Sequence, residues 1–193
     1  MDTAAMRLFV AVLPPQSALD QLAVAARRLH AFPGADGLRW TGVESWHLTL
    51  AFLGQVDPEL LPGLEARFAR LAHRHEQHLL RLHGGGHFGD RALWAGVDGD
   101  VRALRQLAHG VANAAVKSGI EIDARPFRPH LTLARAGARR ADLRPLAGEL
   151  AGFTGDPWTV GSLHLMRSHL GAGPAHYESV GEWPLRAQGK ADR

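Results

Sequence analysis

Apolar residues fall in two rhythms along this chain. Leu8, Val10 and Val12 alternate with Arg7, Phe9 and Ala11, the period of two that marks a half-buried strand over 7–13. The rhythm then lengthens. Leu19, Leu22, Val24, Ala26 and Leu29 predict a helix from about Ala18 to His30, behind the Pro14-Pro15 break and with Ser17 as its N-cap. Leu38-Arg39-Trp40 reads as a short strand after a loop carrying Pro33-Gly34 and Asp36-Gly37. A longer strand runs to Leu53 and closes at Gly54. Leu60, Leu61, Leu64, Phe68 and Leu71 predict a second helix from Asp57-Pro58 to about Gln77. Residues 79–83 and 92–97 alternate again and predict a hairpin pair, with Gly84-Gly85-Gly86 as a flexible turn towards Phe88. Leu93, Ala95 and Val97 take one face of the returning strand and Trp94 the other. A third helix is expected over 101–118, ended by Gly119. A strand from His130, a loop of charged and small residues, a strand over 159–168 and an edge strand over 177–185 complete the pattern. The polar tail from Arg186 is expected to fray.

Within this pattern one phrase occurs twice. Ser45-Trp46-His47-Leu48-Thr49-Leu50 lies in the first half of the chain and Pro129-His130-Leu131-Thr132-Leu133 in the second. On a strand, residues i and i+2 share a face about 7 Å apart. His47 and Thr49 therefore point one way, and Leu48, Leu50 and Phe52 the other. His130 and Thr132 repeat the arrangement against Leu131 and Leu133. The next residues on the polar faces, Ala51 and Ala134, are small and leave room beside the histidines. One His-x-Thr on a strand is ordinary sheet surface; two copies, one in each half of a 193-residue chain, point to a site.

Imidazole titrates near ~6.5, so one ring can act as base while the other acts as acid. Displacement at phosphorus needs that pair, and hydroxyls on the same faces can hold the non-bridging oxygens. Arg128 shares the parity of His130. Arg135 has the opposite parity unless a bulge re-aims it. Phe9 lies on a face beside a small residue, where an aromatic ring could stack on a nucleobase. Prolines 126 and 129 fix an extended approach to His130.

Composition narrows the choice. There is no cysteine, which removes disulfides and thiolate metal sites. No apolar run approaches the length of a membrane span, and Leu8 to Leu13 is too short for a signal sequence. The expected setting is the cytoplasm, as a monomer. Nearly all the positive charge is arginine, with Lys117 and Lys190 as the lysines, and the formal net charge of +3 permits an RNA partner. His73, His75 and His78 follow one another near the end of the second helix, but only Glu76 could complete a ligand set. No metal and no cofactor is expected.

Strands and helices in two similar halves, each around one histidine strand, predict an α+β fold of two lobes and a central groove over residues 1–193. The residues also carry a likeness. Arg7-Leu8-Phe9-Val10-Ala11, Trp46 to Gly54, Leu93-Trp94-Ala95-Gly96-Val97 and Arg125 to Arg135 resemble, in order, the strands and motifs of the two-histidine (2H) phosphoesterase superfamily. Within it they look most like the RNA 2′,3′-cyclic phosphodiesterases, once called 2′-5′ RNA ligases. His87-Phe88-Gly89 departs from the Phe-Pro more frequent there. The resemblance implies a pseudo-twofold bilobed fold, with two antiparallel sheets flanking a cleft and helices outside. It implies a metal-independent hydrolase that opens RNA 2′,3′-cyclic phosphate ends, tRNA halves among them, to 2′-phosphates, with reversible 2′-5′ RNA ligation as a second activity. His47 would then be the proton donor to the leaving 3′-oxygen and His130 the acceptor from water. Thr49, Thr132 and Arg135 would hold the phosphate, with Phe9 near the nucleobase. Three other readings compete: a relative acting on another cyclic phosphate such as an ADP-ribose cyclic phosphate, an RNA-end-binding protein without turnover, and a metallohydrolase.

Overall fold

The computed structural model describes residues 5–123, 125–137, 141–169 and 175–189. Among these residues nine strands and four α-helices follow in the order β1 (Met6–Val12), α1 (Gln16–Leu29), β2 (Leu38–Trp40), β3 (Leu48–Val56), α2 (Leu61–Arg74), β4 (His78–Phe88), β5 (Ala92–Gly99), α3 (Val101–Val116), β6 (Leu131–Ala136), α4 (Arg144–Leu150), β7 (Trp158–Val160), β8 (Ser162–His169) and β9 (His176–Pro184). The strands form two sheets, ordered β3-β1-β8-β9 and β2-β6-β5-β4-β7. Every pairing within them is antiparallel. The first histidine motif enters β3 and the second enters β6, one in each sheet.

The helices are amphipathic and cover the sheets. Ala18, Leu19, Leu22, Ala26 and Leu29 form the buried stripe of α1, while Val24 on the far side is 47 % exposed. α1 packs on β4 and α4, and α3 packs on α2 and β3. Each of these two helices therefore leaves a strand of one sheet and covers the other sheet, which ties the halves together. Leu64, Phe68 and Ala72 line the buried face of α2, and the Phe68 ring meets Trp183 of β9 at 5.5 Å. No described helix is long and apolar enough to cross a membrane.

Several boundaries differ from those expected. α1 begins at Gln16, not behind a Ser17 cap, because the Pro15 carbonyl already accepts the amides of Ala18 and Leu19. The second helix is shorter than 57–77. Asp57 caps a 3-10 turn over Pro58–Leu60, α2 ends at Arg74, and His78 opens β4 instead of closing the helix. Gly84-Gly85-Gly86 is not a turn; all three residues lie within β4. The expected strand over 159–168 breaks at Gly161, with β7 in one sheet and β8 in the other. α4 falls in the stretch expected to be loop; residues 138–140 of that stretch lie outside the described residues. Arg186 is anchored, its backbone bonded to His75 and Gln77 and its side chain paired with Glu76. The end of the tail, 190–193, is also outside the described residues.

Candidate active site

The two motif strands carry the same irregularity. Opposite β3, Val10 pairs Ala51 and Ala11 pairs Thr49, so Leu50 has no partner. Opposite β6, Leu93 pairs Ala134 and Trp94 pairs Thr132, so Leu133 has none. A bulge of this kind sets two residues against one and inverts the alternation beyond it. Leu50 and Leu133 both stay in the core, and Ala51 and Ala134, expected beside the histidines, are buried too. The next residues, Phe52 and Arg135, turn outward instead. Arg135 thereby joins Thr132, which answers the parity objection. Phe52, expected among the core residues with Leu48 and Leu50, is 64 % exposed for the same reason.

The two motifs converge. Among the influences on both rings is the Arg135 guanidinium: it disfavours the charged form of His47 and of His130, and His130 adds to the effect on His47. Burial is the larger cause in each case. It helps to bring His47 down to about 4, and it lowers His130 below the ordinary imidazole range. Each ring is steered by the backbone two residues before it. His130 Nδ1 lies 2.6 Å from the Arg128 carbonyl, which can only accept, so Nδ1 carries the hydrogen and Nε2 is left as the ring's acceptor. A backbone hydrogen bond at Ser45 acts on His47 in the same sense, partly opposing the loss of basicity. Among the described residues neither the Thr49 nor the Thr132 hydroxyl has a hydrogen-bond partner in the protein, which leaves both available to a ligand.

A single hydroxyl couples the motifs. Thr41 Oγ1 lies 2.9 Å from the carbonyls of Thr132 and Leu133, at the β6 bulge. The same oxygen accepts the Trp46 indole N–H at 3.0 Å, one residue before His47.

Aromatic rings hold the histidines from the side. Tyr177 meets His47 edge-on at 5.1 Å and Phe88 meets His130 edge-on at 4.8 Å. Phe9 lies 4.7 Å from His47, as its shared face suggested, but it is only 3 % exposed beneath His47, Phe52 and Tyr177. A ring so covered supports His47 and has no open face for a nucleobase; the exposed ring beside it is Phe52. The Arg128 side chain is exposed, and its link to His130 runs through its carbonyl.

Sequence reasoning missed Tyr177, Phe88 and Arg39. Tyr177 is the chain's single tyrosine, read only as the start of an edge strand. Phe88 could have been found from the hairpin register, which sets it opposite Ala92 on the face that carries Trp94. Arg39 stands directly across from Arg135 in the β2–β6 pair. Two like charges are thus set side by side at this edge, and the Arg39 guanidinium donates to the Ala136 carbonyl at 3.3 Å. Among the described residues no group of three or more His, Asp or Glu side chains could hold a metal ion.

The chain as a whole is similar to known proteins. A family model described as the 2′-5′ RNA ligase superfamily matches residues 13–172. An RNA 2′,3′-cyclic phosphodiesterase of Thermus thermophilus is 32 % identical over 193 residues, 95 % of this chain and 92 % of that relative. One of Geobacillus stearothermophilus is 33 % identical over 150 residues, and the match spans 47 % of that longer relative. The crystal structure of Escherichia coli LigT in apo form superposes with a TM-score of 0.77 at 27 % identity, over 95 % of this chain and 99 % of that one.

Proposed function

The chain belongs to the 2′-5′ RNA ligase superfamily, and we propose that it opens the 2′,3′-cyclic phosphate ends of RNA to 2′-phosphates with His47 and His130 as its proton carriers. The observation that carries this reading is the convergence of two equivalent histidines on one arginine. Each ring is fixed through the backbone two residues before it, and the Arg135 charge acts on both.

The reaction follows from the chemistry of these groups. The cyclic phosphodiester is an anion, and Arg135 offers a planar fork that suits two of its oxygens. The Thr49 and Thr132 hydroxyls donate to the non-bridging oxygens from opposite lobes. His130 Nε2 takes a proton from water as the water oxygen attacks phosphorus. The bond from phosphorus to the 3′-oxygen breaks, and His47 gives that oxygen its proton. The product is a 2′-phosphate beside a free 3′-hydroxyl, and exchange with solvent restores both rings. With the 5′-hydroxyl of a second RNA in place of water, the same two proton transfers open the ring onto that oxygen and leave a 2′-5′ phosphodiester beside a free 3′-hydroxyl, which is ligation.

The low basicity of His47 fits a donor only when substrate is present. In the free protein a ring with a pKa of about 4 is unprotonated at neutral pH. The bound phosphate neutralises Arg135 and adds a negative charge close to the ring. Both effects raise its proton affinity, so the substrate loads its own acid. In this reading the Arg128 side chain meets the RNA backbone and Phe9 braces His47. The two lobes work as one monomeric unit in the cytoplasm, on RNA ends such as tRNA halves, with no metal.

The test is turnover of an RNA oligonucleotide ending in a 2′,3′-cyclic phosphate, with and without a chelator. Equal rates in both are expected. Loss of activity on chelation, restored by a divalent ion, would overturn the histidine-only mechanism and favour a metallohydrolase.

A further inference from the structure

The glycine run of β4 is part of a groove that the proposed chemistry does not use. His83 and Gly84 together oppose the single residue Gly96, and Gly84 takes a left-handed φ of 63°, so the strand bulges at this point. Side chains are excluded by contact as well. A Cβ at Gly96 would lie 2.5 Å from the His83 carbonyl oxygen, and one at Gly86 only 2.4 Å from Cη2 and Cζ2 of Trp94. The Trp94 indole is therefore laid over bare backbone at Gly86. Its Nε1 is buried without a hydrogen-bond partner, so what it can offer a ligand is its ring face.

Trp94 is also a wall of a groove of about 440 Å³ that continues past Gly84, Gly96 and Pro129 to Arg105 on α3 and Ala151 beyond α4. The groove joins the proposed site directly, since Trp94 is 6.2 Å from the His130 ring and Pro129 precedes that histidine. Arg105 spends one donor on the Phe127 carbonyl and is exposed, which leaves most of its five donors free. Among the described residues no carboxylate pairs with Arg105; Asp98 is held by Arg81 and Asp100 accepts the Ala103 amide.

An aromatic face, a guanidinium with unspent donors and a stretch of glycine backbone, one step from the reacting phosphate, suit a nucleotide. We propose that this groove binds the nucleotide immediately 5′ of the cyclic-phosphate end, with its base on Trp94 and its phosphate at Arg105. The inference rests on the hydrolase reading and adds to it a preference for oligonucleotides over single nucleotides.

Ala151 is exposed at the groove's rim, so Ala151→Glu adds a repelling charge without disturbing the core. Two substrates separate the possibilities: a nucleoside 2′,3′-cyclic monophosphate, which ends before the groove, and a short oligonucleotide with the same cyclic end. Ala151→Glu and Trp94→Leu are each expected to raise KM about tenfold on the oligonucleotide, the scale of one lost base stack. Ala151→Glu leaves the mononucleotide rate unchanged, and Ala151→Arg does not weaken the oligonucleotide. Equal effects of Ala151→Glu on both substrates, or none on either, would overturn the groove assignment. Wild-type turnover of the mononucleotide tests the hydrolase reading by itself. Should that fail, fluorescence anisotropy of a labelled oligonucleotide ending in a 2′-phosphate still decides the groove: about tenfold weaker binding to Ala151→Glu supports it, and unchanged binding rejects it.

Discussion

Replacing either His47 or His130 with alanine is expected to lower kcat on a cyclic-phosphate RNA end by about 10²- to 10⁴-fold, the usual contribution of a positioned acid or base. KM should move little, because Arg135 and the two threonines still hold the phosphate. The double variant should be scarcely worse than the weaker single one, since an acid and a base acting in one step fail together. Asparagine is the informative control at position 130. Its amide can donate to the Arg128 carbonyl as Nδ1 does at 2.6 Å, yet it cannot carry the proton. His130→Asn should therefore fold like the wild type and be as inactive as His130→Ala. Retention of most activity by either variant, measured in steady state, would remove that histidine from the chemistry.

Arg135→Gln is expected to produce two opposed effects. Loss of its charge from the phosphate should lower kcat/KM by about 10²- to 10³-fold, as removal of one pre-placed donor does elsewhere. The same substitution should raise the pKa of both histidines in the free protein, because the guanidinium is among the causes that hold each of them down. Burial is the larger cause and stays in place, so both should remain below the ordinary imidazole value. The sign is definite. Removing a nearby cation makes protonation easier, so each ring should hold its proton to a higher pH than in the wild type. Histidine ring-proton NMR across pH reads this directly. An arginine that served only to pack the strand would change the rate and leave these titrations where they were.

Much of this was legible in the chain because the physical rules involved are local. Period-two alternation placed both motif strands, and i, i+3, i+4 spacing placed three of the helices. The second His-Leu-Thr-Leu singled out the histidines. What could not be read came from departures from period. The bulges at Leu50 and Leu133 invert the faces after them, so counting put Phe52 in the core and kept Arg135 away from Thr132. The chain changes sheet at Gly161, where the buried positions pass from even (Trp158, Val160) to odd (Leu163, Leu165), a slip in phase that a single strand over 159–168 runs across. Glycines 84 to 86 looked like a turn because glycine favours turns. In the strand a side chain at Gly86 would meet the ring of Trp94, eight positions later, a contact visible only in three dimensions. α4 is a single short helix of seven residues with a proline in its first turn, too little for periodicity to show. Tyr177 and Phe88 reach the histidines from other strands, and no spacing records that.

The two histidines are expected to direct water to phosphorus so that the 3′-oxygen leaves. Phosphorus NMR of the product from an oligonucleotide with a 2′,3′-cyclic end tests it most directly, because 2′- and 3′-monoesters resonate apart. A 2′-phosphate as the sole product, absent with His47→Ala and His130→Ala, is the predicted result. A 3′-phosphate would contradict the assignment of His47 to the 3′-oxygen, and an unopened ring would contradict the hydrolase itself.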